Sequence, residues 1–289
     1  MNQDLILSFA LPITLFCIMF SMGTALISRD FRLIVESPLS VLIGIVSQMV
    51  ILPIVALIVL MMLQLPPVLF VGFMILAFSP GGTTSNMFSY LGGGNVALSI
   101  TLTAIVSLVT PLTLPLLAGQ VIQWQMGGSG EIVLPFASTF AKLVVVTLIP
   151  VALGMLLRHR RPKFCLKHER ILTRTPLIML LLVIIGIIRQ NWEAMPLFLA
   201  QTGMPALLLA TLALGVGYAF ARMSRITETD ARTVAIETGI QNGGTAILVT
   251  GTILNNPAMT IAPVMYGILM LIPTFAYIIW LNRKHAAIA

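Results

Sequence analysis

The sequence predicts an all-α polytopic membrane protein with nine transmembrane helices. The chain has 289 residues, of which 58% are hydrophobic and only 9% are charged. So little charge excludes a soluble domain of this size. Nine apolar segments are each close to the roughly 20 residues that a helix needs to cross a bilayer. Two of them are interrupted by glycine, proline and polar residues, as in transporters built from inverted repeats.

The nine segments follow one another along residues 1–289, which we interpret as a single transmembrane domain. They cover residues 5–27, 39–63, 67–91, 96–118, 135–157, 171–188, 195–221, 231–254 and 261–281. No basic residue precedes the first segment, and it is about as long as a full span. We therefore expect it to be an uncleaved helix rather than a signal peptide.

The distribution of lysine and arginine predicts the orientation. With the amino terminus outside, 14 of the 16 basic residues fall in cytoplasmic stretches or at their edges. The reverse orientation would place the basic cluster at 158–174 outside, against the positive-inside rule. We expect a multi-pass protein of the cell membrane (inner or plasma membrane), with its carboxyl terminus in the cytoplasm. The net charge of +7 then comes from the basic residues of these cytoplasmic loops and does not indicate a nucleic-acid-binding protein.

The two interrupted segments are the most informative feature of the chain. The third is broken at Ser79–Asn86 and the eighth at Glu237–Thr245. In the predicted orientation they run in opposite directions, which is typical of an inverted-topology repeat with an ion-and-substrate site at its breaks. The N-termini of half-helices carry partial positive charge and favour an anionic group. The residues expected to face such a group are Thr83, Thr84, Asn242 and Gly243.

Glu237 is the acidic residue that lies well within a predicted span. A carboxylate at that depth normally has a cationic partner, and no lysine or arginine shares the segment at the same depth. The partner is then a bound cation or a proton, and the alternative is a structural, hydrogen-bonded glutamate. Hydroxyl and amide oxygens nearby suit a hard cation such as sodium better than zinc or copper.

Other polar residues within the spans allow two interpretations each. Ser99 and Thr103 lie one turn apart on one helix face, and either bind an ion or bond to carbonyls of their own helix. Gln48 either contributes to a site or ties helices together. Lys142 either extends to the membrane surface or pairs within the bundle.

The broken runs carry a family resemblance. Ser79–Asn86, Tyr90–Leu91, Gly94–Ser99 and Glu237–Asn242 resemble the bile acid:sodium symporter family, in particular its bacterial members. The resemblance covers nearly the whole chain. It implies a sodium-coupled symporter in which two broken helices cross at their centres.

The resemblance also implies a division of the chain and a set of ligands. A panel domain would comprise about 5–27 and 135–188, and a core domain about 39–118 and 195–281. A first sodium site would comprise Ser85, Asn86, Ser99, Thr103 and Glu237. A second would comprise Gln48, Glu237 and Gln241, with the backbone carbonyls of Thr238 and Ile240.

The implied activity is import of a small organic anion by alternating access, driven by about two sodium ions and without a cofactor. Pantoate or keto acids fit a short bacterial chain better than bile acids do. The alternative is a proton-coupled or uncoupled exporter of organic anions or oxyanions, although neither Cys17 nor Cys165 lies in a broken segment. Because no nucleophile–base or metal constellation appears, the chain is not expected to be an enzyme. We expect a monomer in the bilayer, with no nucleic-acid partner.

Overall fold

The chain folds as a bundle of helices, as predicted. The computed structural model describes residues 9–27, 32–127, 135–190 and 192–286, and within these ranges the regular structure is helical apart from one isolated β-bridge. The predicted start of the first segment, at residue 5, lies outside the described residues. The helices are α1 (Leu11–Ala25), α2 (Leu33–Glu36), α3 (Pro38–Leu63), α4 (Pro67–Ala77), α5 (Thr83–Leu91), α6 (Val96–Met126), α7 (Phe136–Arg160), α8 (Pro162–Lys167), α9 (Glu169–Gln190), α10 (Met195–Met223), α11 (Glu228–Gly239), α12 (Gly243–Ile253), α13 (Pro257–Leu269) and α14 (Leu271–Ala286).

Several of these helices have the length and composition of membrane spans. Within the described residues, α3, α6, α7, α9, α10 with the 3₁₀ turn before it, and α13 with α14 give six helices long and apolar enough to cross a membrane. Three apolar helices are shorter, namely α1, α4 and α12. Helix α6 continues to Met126, beyond the predicted end at 118, because its last turns also pack: Trp124 makes an edge contact with Phe70 of α4.

Both interrupted segments are broken where the sequence predicts. Helix α4 ends at Ala77 and α5 begins at Thr83, and the turn between them contains Gly81 at a φ of +63°. Helix α11 ends at Gly239 and α12 begins at Gly243. The two breaks lie against each other, since Pro80 and Gln241 form an antiparallel bridge. The backbone N–H of Asn242 donates to the carbonyl of Ser79 at 2.9 Å.

A π turn widens α3 at Ser47–Ile51, just before Pro53. Proline has no N–H for the carbonyl one turn earlier, and a π turn is a common way to absorb the misfit. Helix α7 has the same arrangement, with a π turn at Val144–Leu148 just before Pro150. In α3 the side chains of Ser47 and Gln48 are fully buried at this turn.

The helices pack mainly in two neighbourhoods, with further contacts between α6 and α7. Helix α1 packs against α7 and α9, whereas α10 packs against α11 and α13, and α4 packs against α6 and α13. The α1–α7 contact depends on glycine: a methyl group on Gly23 would lie 2.2 Å from the carbonyl oxygen of Val151. A methyl group on Gly154 would lie 2.3 Å from the carbonyl oxygen of Phe20. Small residues permit such close backbone approach between membrane helices.

Gly23→Ala is therefore expected to separate α1 from α7 and to lower the Tm in detergent by about 5 °C, the usual cost of overpacking a tight contact. Gly215→Ala is the matched control, because it also lies within a helix but has no heavy atom within 4 Å of the added methyl group. That control should leave the Tm unchanged or raise it slightly through helix propensity. Equal effects in the two variants would show that the close contact is unimportant.

Candidate sodium and substrate site

A buried carboxylate lies beside the two breaks. Glu237, on the last turn of α11, is fully inaccessible to solvent. Ser99 of α6 donates a hydrogen bond to its Oε1, and Thr103, one turn further along α6, donates to its Oε2 at 3.2 Å. The spacing of these two residues thus brings both hydroxyls to one carboxylate. Among the described residues, no lysine, arginine or histidine forms an ion pair with Glu237.

Asn86 completes this cluster from α5. Its Oδ1 lies 2.8 Å from the Ser99 hydroxyl and 3.4 Å from the Thr103 hydroxyl. Since each hydroxyl has one proton, Asn86 and Glu237 are alternative acceptors for it. The neighbouring Ser85 is buried, and its hydroxyl donates to the carbonyl of Gly82 at 2.6 Å. All five residues of the first predicted set therefore lie at one place, where α5, α6 and α11 meet.

The second predicted set shares Glu237 with the first. The Gln48 side chain is fully buried, and neither its oxygen nor its nitrogen has a hydrogen-bond partner among the described residues. The Oε1 of Gln241 is also buried without a partner, while its Nε2 donates to the carbonyl of Thr238 at 2.9 Å. A methyl group at Gly81 would lie 3.4 Å from Gln48 Oε1 and 3.7 Å from Glu237 Oε2. Gln48 and Glu237 therefore border the same small space.

The backbone around the second break is held by several hydrogen bonds. Ile240 is the extended residue that ends α11, and it is fully buried. Thr238 is held by its own hydroxyl, which donates to the carbonyl of Val234 at 2.6 Å and contacts the hydroxyl of Ser47 at 2.7 Å. Tyr266 of α13 donates to the carbonyl of Gly239 at 2.8 Å. These bonds fix the last turn of α11, on which Glu237 and Thr238 lie.

The chemistry of the cluster suits a hard cation. A buried carboxylate without an ion pair is costly unless a cation or proton balances it. Unpartnered buried amides likewise cost free energy unless a ligand satisfies them. The donors are oxygens of carboxylate, amide and hydroxyl groups, the set preferred by hard cations. Within the described residues, no group of three or more His, Cys, Asp or Glu side chains could hold a metal ion.

A cavity of about 270 Å³ borders both breaks, and Gln241 of the second predicted set is among the residues that line it. Its walls are mostly apolar and come mainly from α1, α5, α9, α12 and α13, and none of the described lysine or arginine residues lines it. Three of the four residues predicted to face an anion, Thr84, Asn242 and Gly243, border this cavity. The side chain of the fourth, Thr83, lies outside the described residues. The Oδ1 of Asn242 accepts from the backbone N–H of Thr245 at 3.1 Å, so this side chain caps α12.

A buried aspartate that was not predicted from the sequence joins the helices of the site. Asp230, near the start of α11, accepts from Ser40 of α3 at 2.7 Å and from Asn95 Nδ2 at 2.8 Å. Asn95 is also the N-cap of α6. One carboxylate thereby fixes the ends of the three helices that carry Gln48, Ser99 and Glu237. Its position at one end of an interrupted span, three residues after the helix cap Thr227, was the available signal.

The remaining polar residues singled out from the sequence lie away from the breaks. Lys142 is exposed on α7, which favours extension to the membrane surface over pairing within the bundle. Cys17 is half-buried on α1 and Cys165 is buried on α8, and both are free thiols. Neither cysteine belongs to the cluster around Glu237.

Comparison with known proteins places the chain in a family. The model of the sodium bile acid symporter family matches residues 12–195. The chain belongs to this family. Sodium bile acid symporters and their relatives are sodium-coupled transporters, not enzymes, which confirms the predicted class of protein.

Individual members of the sodium bile acid symporter family match over most of the chain. A rice protein (Oryza sativa subsp. japonica) described as a probable sodium/metabolite cotransporter of the chloroplast is 31% identical over 92% of this chain. An uncharacterized sodium-dependent transporter of Bacillus subtilis is 27% identical over 94% of the chain. The human ileal sodium/bile acid cotransporter is 31% identical over 83%. The chain spans 62%, 79% and 68% of the lengths of these relatives, respectively.

Proposed function

We propose that this protein is a sodium-coupled symporter of the cell membrane that imports a small organic anion by alternating access. The observation that carries the proposal is the site around Glu237. Its buried carboxylate has no ion pair, and the amides of Gln48 and Gln241 beside it have unsatisfied atoms. Two bound sodium ions, one at each predicted set of ligands, would offset the charge of the carboxylate and coordinate the unpartnered Oε1 atoms of Gln48 and Gln241.

The nearby cavity suits a small substrate. Sites for drug-sized ligands occupy about 300–1,000 Å³, so a cavity of about 270 Å³ favours a small anion. Because no lysine or arginine of the described ranges lines the cavity, a carboxylate would be bound by backbone N–H groups near Asn242 and Gly243 and by the Thr84 hydroxyl. The relatives' descriptions name metabolites and bile acids. We favour pantoate or a keto acid over a bile acid on grounds of size.

Alternating access would use the two packing neighbourhoods. In this proposal α1, α7 and α9 form the panel, and the helices around the breaks form the core. The apolar walls of the cavity come partly from α1 and α9 and partly from α12 and α13, so that it lies between the two groups. Movement of the panel against the core would open the cavity to either side. Nine crossings, an outer amino terminus and a monomeric protein complete the proposed arrangement.

Symport of two sodium ions with one monoanion would carry one positive charge inward. At about 100 mV this charge is worth roughly 2.3 kcal/mol. The corresponding accumulation is roughly 40-fold, at about 1.4 kcal/mol per tenfold, before the sodium gradient contributes. Import is therefore the favoured direction for such a stoichiometry.

Uptake into proteoliposomes tests the proposal. Labelled pantoate and pyruvate are supplied outside, with an inward gradient of sodium or of choline. We expect uptake to require sodium and to increase when a potassium–valinomycin potential makes the interior negative. Uptake that follows a proton gradient without sodium would instead support the exporter class. If neither solute is taken up, the Tm is measured with and without sodium. A rise in Tm with sodium would support the ion site and show that the proposed substrates are wrong. No rise would show that sodium coupling is wrong.

A further inference from the structure

A second cavity, of about 680 Å³, opens at one end of α1 and α7. Its floor is apolar and includes Leu26, Met155 and Leu156. Two basic side chains, Arg158 and His159, border it on the last turn of α7. The cavity is remote in sequence from both breaks and shares no lining residue with the substrate cavity. An apolar groove with a guanidinium and an imidazole at its mouth matches an amphipathic anion rather than a soluble one.

The chain around this groove is strongly basic. Between 158 and 174 it contains seven lysine and arginine residues and one acidic residue, Glu169. Among the described residues, none of these cations forms an ion pair with an acidic side chain. Nearly all of the seven are exposed. An unbalanced positive surface of this kind attracts anionic lipid headgroups.

Helix α8, which follows the groove, has the character of a segment at a membrane surface. Phe164 and Leu166 are exposed, and they lie between the exposed Lys163 and Lys167. Large apolar side chains beside basic ones are typical of segments that lie at the boundary between headgroups and acyl chains. Pro162, the first residue of α8, also lines the groove. The groove therefore opens at the depth where phospholipid headgroups lie.

We propose that this groove, defined by Leu26, Ala152, Met155, Leu156, Arg158 and His159, binds an anionic glycerophospholipid. Arg158 and His159 would bind the phosphate, and the apolar floor would take the first part of the acyl chains. This site is independent of the coupling ion and of the transported substrate. Because α1 and α7 both line it, a bound lipid would bridge the two helices and stabilise them by mass action.

The test uses the full-length protein, purified in detergent and freed of lipid. Dioleoylphosphatidylglycerol is expected to raise the Tm in a saturable way and to remain bound in native mass spectrometry. Dioleoylphosphatidylcholine, with the same chains and no net charge, should do neither. An equal response to both lipids, or to soluble glycerol 3-phosphate without chains, would overturn the proposal.

Two variants distinguish lipid binding in the groove from general electrostatic attraction of an anionic lipid to the basic surface. Arg158→Gln should weaken phosphatidylglycerol binding about fivefold, because this is the change in affinity expected when one basic residue near an anionic lipid surface is lost. Ala152→Trp leaves every charge in place but fills the groove, and should prevent retention of the lipid. The matched control is Arg170→Gln, which removes an exposed charge that does not line the groove. The proposal fails if Arg170→Gln weakens binding as much as Arg158→Gln, or if Ala152→Trp binds like the parent protein.

Discussion

Replacing Glu237 by glutamine is expected to abolish sodium-driven uptake and to weaken sodium binding by at least about 30-fold, because removing one partner of a buried charge pair costs about 2–5 kcal/mol. Glutamine has nearly the same shape and keeps an oxygen that can accept from Ser99 or Thr103. It lacks the negative charge that would balance a cation where no ion pair exists among the described residues. Loss of the negative charge should therefore weaken sodium binding and leave the fold unchanged.

The measurement is the rise in Tm with increasing sodium, together with uptake in proteoliposomes. Glu193→Gln is the control, because it makes the same chemical change at an exposed glutamate outside the site. Glu237→Gln should unfold near the Tm of the sodium-free parent but should not respond to sodium. If it keeps the sodium response, Glu237 is a structural glutamate that is protonated in the native protein, and the proposed ion site is wrong.

The helix positions were largely predictable from sequence because a hydropathy profile shows directly where each apolar segment begins and ends. The breaks were predictable because glycine and proline interrupt a helix for local reasons. Local patterns do not reveal hydrogen bonds between distant segments. Asp230 bonds to Ser40 and Asn95, which are 190 and 135 residues away, and no local pattern indicates that pairing. The π turn beside Gln48 was missed for another reason, since hydropathy does not distinguish a π turn from an α turn.

The site itself was accessible only in part from the residues alone. A lone intramembrane carboxylate indicated Glu237, and helical spacing placed Ser99 and Thr103 on one face. Their common orientation toward Glu237 depends on how α6 packs against α11, which a single sequence does not specify. The unsatisfied amide of Gln48 is also a property of the folded chain, because a glutamine in a span equally often ties two helices together. Family resemblance, rather than spacing, selected Gln48 in advance.

Gly81→Ala is expected to remove most of the sodium response as well, although it changes no predicted ligand. Gly81 has a φ of +63°, a conformation that costs about 1–2 kcal/mol for a residue with a Cβ. The added methyl group would lie 3.0 Å from Val106 and between Gln48 Oε1 and Glu237 Oε2, at 3.4 and 3.7 Å. It would therefore occupy the space that the second sodium ion would need.

The adjacent Gly82 supplies a closely matched control. Its φ of −143° is extended, and a methyl group there would meet Thr84 Oγ1 at 3.6 Å and the Cα of Asn242 at 4.0 Å, which are ordinary contacts. Gly82→Ala should therefore keep the Tm and its rise with sodium, whereas Gly81→Ala should lower the Tm and abolish most of that rise. Because Gly82 borders the substrate cavity, the comparison uses sodium binding and not transport. A normal sodium response in Gly81→Ala would place the ion away from the space between Gln48 and Glu237.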